Sequence, residues 1–508
     1  MNPTRRSLLH GLTGALAAPL WLTRAEAEVT PEILRFRPEI EPLAALIERT
    51  PREKCAEMAV DQFRRGASYR QFMAALFLAG IRNVNPRPPG FALHCVFVIH
   101  AAHLISLEAP ADSRLLPLFY ALDNFKTAQD RDARAASGDY TMRALRGPLP
   151  PPERAAAEFT AAMEAWDIEG GERAVVALAR HRSPAEVFEM LWRYGARDYR
   201  NIGHKAIYVA NAARTLHVIG WQHAEPVLRS LVLALLDFGR EQDVNGYALD
   251  NQCYAANLKR ARDTFSKLGN DWAAERPDAA ETRRMVELIR ESPPEEACAD
   301  VAARIVKGKA TAAPVWDAVH LAAAELRMRV RGNAGIVALH AVTAANGLRH
   351  SYIAAASAQE RYLLLLQAVG WMAQFRTFAG AREQDLRPFP ITAMEPHVED
   401  APLERALEEI FAGVRSNPDA SAARVFRLAS DLAARQAFLN GALGYTLAKA
   451  DEVHYYKYLA ALVEDIPLAS PEFQPHLAAA VVYYIKGSAD PEPAPMKRAR
   501  EALRALAA

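Results

Sequence analysis

Apolar residues recur along this chain at i, i+3, i+4 and i+7 in window after window, and that period admits one kind of element. Residues 58–78, 153–165, 171–180, 226–238 and 361–375 all carry it, the spacing of one helix face. Sustained period-2 alternation is scarce. The stretch VVYYI at 481–485 could be a strand, but it continues an Ala-rich helical pattern and reads as helix. Ser183-Pro184 has the form of a helix start, and Pro226 suits a first helical position. The expected fold is all-α. One large multi-helix domain spans 28–487, with long polar loops, and 488–508 forms a linker and a short basic C-terminal helix. Breaks are expected at 83–90 (NVNPRPPG), at 131–153 as an exposed connection, at 243–294 with a helix in 254–267, and at 382–402.

Lys plus Arg number 61 against 60 for Asp plus Glu, so no global field recruits nucleic acid or an anionic membrane. The four cysteines, Cys55, Cys95, Cys253 and Cys298, show no CxxC spacing. That argues against a cysteine zinc site and against a disulfide scaffold, leaving free thiols or one or two bridges.

The first 27 residues have the form of a twin-arginine signal peptide. Arg5-Arg6 precedes a short apolar run, and Ala25-Glu26-Ala27 suits cleavage. The run is too short for a membrane span. The expectation is a periplasmic or secreted protein, handled by the twin-arginine export machinery and free of the membrane after cleavage.

What that helical pattern does not explain is histidine. An ionisable ring in an apolar helix needs a partner, because an unpaired buried polar group costs about 1–3 kcal/mol. His100 and His103 share a face at i, i+3, with His94 turned away from both. His204 opens an apolar run, and Lys205 beside it is expected to pair with Asp198. His340 lies among Leu339, Val342 and Thr343, and His454 shares a face with Lys457. Asp317 and His320 sit one turn apart. His223, Glu225 and Arg349 are candidates to orient a ligating ring rather than to bind. Trp192, Tyr208, Trp221, Trp316, Trp371, Tyr455 and Tyr456 lie near the histidines, as core packing or as walls of a planar-substrate pocket.

The blocks VIHAAHLISL, NIGHKAIYVANAART, IVALHAVTAANGLRH and DEVHYYKYLAAL, in that order, resemble the questin oxidase-like family, all-helical enzymes of aromatic polyketide metabolism. The resemblance is spread over 64–485, and an extra valine separates Glu452 from His454. It implies a non-haem iron oxygenase with iron held by His103 (or His100), His204, His340 and His454, and by Lys457 as a carboxylated lysine. It implies dioxygen and an aromatic or quinone-type small molecule as substrates, with ring opening or Baeyer–Villiger-type insertion as the chemistry. Imidazole ligands also suit Zn2+, which would make a zinc-dependent hydrolase. A non-enzymatic α-helical binding scaffold of the periplasm is the reading from another class, in which each ring is satisfied separately. No Gly-rich nucleotide fingerprint follows a strand, so no organic redox cofactor is indicated.

Overall fold

The computed structural model describes residues 32–135, 139–239, 250–332, 334–382, 386–397 and 401–507. The signal peptide expected over 1–27 lies outside the described residues. Within them every regular element is helical: 22 α-helices and seven short 3-10 turns, with one isolated antiparallel bridge between Ile33 and Arg143.

The local chemistry sets the boundaries. Ser68 with Gln71 and Ser183 with Glu186 form capping boxes at the starts of Tyr69–Asn83 and Pro184–Arg197, each satisfying two backbone donors that the helix leaves free. The periodic window at 58–78 is two helices, because Gly66 turns the chain at φ +93 between them. Pro226 is not the first helical residue: the helix is Ala224–Leu235. A proline is tolerated there because first-turn N–H groups have no intrahelical partner. The 481–485 stretch is helical through Tyr484, as the end of Gln474–Val481 and a 3-10 turn, Val482–Tyr484. The helix expected in 254–267 is Asp250–Thr264 followed by a 3-10 turn, Phe265–Lys267.

Two expected loops are docked rather than free. Met142 is buried, and its backbone pairs with Leu34 and Arg82, so the connection at 131–153 is not simply exposed. In the loop at 382–402, Ile391 is buried and donates its N–H to Glu325 Oε2 at 2.9 Å. All four cysteines are free and buried. The terminal helix Ala494–Ala507 packs against Leu116–Asp132 and Cys55–Arg64.

At the centre lie four helices: His94–Glu108, His204–Ile219, Gly335–Ala354 and Val453–Asp465. They are apolar almost all round, as a helix enclosed by others must be. Among the described residues, 91–108 is long and apolar enough to cross a membrane, but 67% of that window is buried inside the fold. Glycine sets the closest approach. A Cβ on Gly347 would stand 3.2 Å from the Ala206 carbonyl oxygen, so its absence lets the His340 helix lie against the His204 helix.

Candidate metal centre

Two of the four central helices begin at a histidine, and a third has one in second place. His94 and His204 are the first residues of theirs, and His454 is the second of its own. His340 sits one turn further into Gly335–Ala354. Three helix N-termini therefore lie around the site. Gly203, at φ +77, makes the turn into the His204 helix, where a Cβ would come within 3.0 Å of Ala344 Cβ. Asp198 anchors the same helix start by accepting from Arg200 and, at 2.5 Å, from Lys205 Nζ. The pairing of Lys205 with Asp198 is thus as expected. Burial alone would raise the Asp198 pKa, but Lys205 and Arg200 hold it below the usual range.

The rings meet through their Nε2 atoms. His94 Nε2 lies 2.8 Å from His204 Nε2, and His340 Nε2 lies 2.9 Å from the same atom. Side-chain donors of the three all fall within 4.8 Å of one another, and all three residues are buried. The His454 ring stands edge-on at 4.6 Å from the His94 ring and 5.0 Å from the His340 ring, centroid to centroid. Its Nε2 is buried with no hydrogen-bond partner. Lys457, one turn on, buries its Nζ without a partner, 5.4 Å from the Phe97 ring centroid.

The opposite ring nitrogens decide what this geometry means. His204 Nδ1 lies 2.5 Å from the Asn201 carbonyl, and His340 Nδ1 lies 2.7 Å from the Ile336 carbonyl. A carbonyl oxygen only accepts, so both Nδ1 atoms carry the proton and both Nε2 atoms of the neutral rings present lone pairs. Lone pairs 2.9 Å apart repel unless a proton or a cation lies between them. Burial pushes the pKa of His94, His204 and His340 well down, and Lys457 adds to it. Between His204 and His340, whose Nδ1 atoms both carry the proton, a bound cation would relieve that repulsion. The buried donor set fits a divalent transition metal.

No family model, curated protein or solved structure matches this chain. The site is therefore read from its residues.

Of the residues expected to ligate, the structure brings His204, His340, His454 and Lys457 together and leaves the early His-x-x-His pair outside. His94 stands where His103 or His100 was expected. The cause is helical rise: at 1.5 Å per residue, His100 and His103 lie about 9 and 13 Å along the axis from His94. His103 meets Tyr69, Nδ1 to the hydroxyl at 3.2 Å. His100 Nε2 lies 3.5 Å from Glu464 Oε1, in a separate polar layer where Arg214 bridges Asn346 and Glu464 at 2.8 and 3.1 Å. The expected orienting residues are elsewhere too. Glu225 forms a two-point ion pair with Arg180 and not with His223, because the helix begins between them and turns Glu225 outward. Arg349 stacks over Trp316 at 5.1 Å and reaches Glu275 at 3.3 Å. His320 faces Asp465 at 3.3 Å, and Asp317 accepts from the Ser470 backbone at 3.0 Å.

A cleft of about 220 Å³ has His94, Phe91, Tyr120, Arg131, Glu452 and Met496 in its lining, so His94 alone of the clustered rings borders it. Tyr120 stacks on Tyr456 at 4.3 Å, and the Arg131 guanidinium lies over Phe91 at 4.7 Å.

Proposed function

We propose that the protein is a metal-dependent oxygenase of the non-haem iron type, acting on an aromatic or quinone-type small molecule. One observation carries the reading: three imidazoles from distant parts of the chain direct Nε2 at a common point while two of them have Nδ1 locked on carbonyls. Rings that merely satisfied their own surroundings would have no reason to gather, which weighs against a binding scaffold. The family resemblance implies Fe2+ and an oxygenase, while Zn2+ and a hydrolase remain the alternative for the same imidazoles. Ferrous iron held there would supply the binding and activation of dioxygen.

The chain's own residues do the rest. The imidazoles would hold the ion, and their burial would exclude bulk water. Phe91 and Tyr120 give the cleft flat walls for a planar ring, which would bring a substrate up to His94. Burial lowers the Lys457 pKa to about 7, so a substantial share of its amine is neutral and nucleophilic at neutral pH. The family resemblance implies the carboxylated form. The amine nitrogen bonds to the carbon of carbon dioxide, a proton leaves, and the anionic carbamate balances the ion's charge. The twin-arginine leader fits a protein exported already folded around its metal.

The test is elemental analysis of purified protein beside His204→Ala, with dioxygen uptake measured on hydroxylated anthraquinones. About one iron per chain in the wild type, lost in the variant, is the expected result. A folded wild type that takes up no transition metal would overturn the reading.

A further inference from the structure

Among the four rings, His454 alone has a formal anion on its Nδ1. His204 and His340 use backbone carbonyls, and His94 Nδ1 is buried without a partner. We propose that Glu452, braced by Tyr484, is the positioning residue that fixes the tautomer and raises the donor strength of His454 at the metal. The proposal rests on the metal centre described above and deepens it.

Glu452 ends the extended segment before the Val453–Asp465 helix, and its side chain caps that helix by accepting from the His454 backbone N–H at 3.1 Å. The same oxygen, Oε2, lies 2.7 Å from His454 Nδ1. The other oxygen, Oε1, accepts from the Tyr484 hydroxyl. Tyr484 is itself held by stacking on Tyr455 at 4.5 Å. Both carboxylate oxygens are thus engaged, which prevents rotation of the group. An ionised carboxylate only accepts, so Nδ1 must carry the ring proton and Nε2 must present its lone pair to the other rings. A carboxylate behind a ligating imidazole makes it more basic, and removing such a partner costs about 10–100-fold in metal affinity.

The valine between Glu452 and His454 makes this contact possible. It places Glu452 at the cap position, outside the helix, from which a side chain can reach both the backbone and the ring two residues on. Adjacent residues inside the helix would diverge by about 100°. Glu452 also lines the cleft that reaches His94, with 37% of its side chain exposed, so replacing it leaves no buried void.

The experiment is Co2+ titration of metal-free protein against a competing chelator, followed by visible absorption. Wild type is compared with Glu452→Gln and Tyr484→Phe. The proton NMR spectrum of the Co2+ form reads the exchangeable Nδ1–H signals of bound imidazoles. The expected result is Co2+ affinity lowered about 10–100-fold in Glu452→Gln and less in Tyr484→Phe, with one shifted N–H signal displaced or lost in both. Tyr484→Phe leaves the helix cap intact and carries the test if Glu452→Gln fails to fold. Unchanged affinity and an unchanged N–H spectrum in folded variants would overturn the proposal. A wild type that binds no Co2+ would instead overturn the metal centre itself.

Discussion

Single residues in this core carry opposed charges that water does not reach, and their removal should be costly. Asp198 pairs with both Arg200 and Lys205, and the side chains of all three are almost wholly buried. Asp198→Asn leaves two cations in a dry interior and is expected to destabilise the protein by about 3–5 kcal/mol, read as a lower urea midpoint. The layer beneath the metal centre should make the protein acid-sensitive. Burial pushes His100 down to about 4 from its ordinary 6.5. Burial would raise Glu464, but hydrogen bonding from His100 and the Arg214 charge outweigh it and hold the carboxyl at about 2, below its ordinary 4.5. Each group binds a proton less readily folded than unfolded, so each contributes stability that disappears on acidification. The His100 share is lost as pH falls from 6.5 to about 4, and the Glu464 share from 4.5 to about 2. Urea midpoints measured against pH should fall less steeply below pH 4.5 in Glu464→Gln than in the wild type. At this scale the sequence was only partly legible. His204, His340 and His454 stand out as rings in apolar surroundings. His94 was hidden because i, i+3 spacing drew attention to His100 and His103. The better signal was position: His94, His204 and His454 lie at the starts of their helices, where a ring can turn toward the axis of the bundle.

Helical periodicity was easy to read, since every window that carried it is helical, and the misjudged boundaries were those set by local chemistry. Gly66 divides one window, and the helix containing Pro226 begins two residues earlier, at Ala224. Which helices touch was not legible, because small residues permit a close approach without naming the partner. Gly347 is the case that matters. Alanine is a better helix former by about 1 kcal/mol, yet a Cβ there would press on backbone atoms of Ala206 at 3.2 and 3.4 Å, which cannot rotate away. Overpacking of that kind costs about 1–3 kcal/mol. Gly347→Ala is expected to be net destabilising and to weaken metal binding by displacing His204 from His340, both measurable in one titration series.

For the whole molecule, the issue is access. The four rings are 1–3% exposed, and the cleft at His94 is closed on one side by Pro493, Pro495 and Met496, where the chain enters its last helix. Protein lacking residues 493–508 should lose its metal to a chelator several-fold faster than the full chain, with His204 and His340 unchanged; equal rates would show that this segment does not cover the centre. The tail was legible as a short helix after a proline linker, but its docking beside the site was not. That contact joins residues hundreds of positions apart.

The arrangement of the rings also bears on how the protein comes to be made. His94 and His454 belong to opposite ends of the described chain, yet they stand 4.6 Å apart. Contacts between such remote segments form late in folding. His340 is the last of the three clustered donors, so a nascent chain stalled before residue 340 has no complete donor set, and an ion enters only after most of the polypeptide has been made.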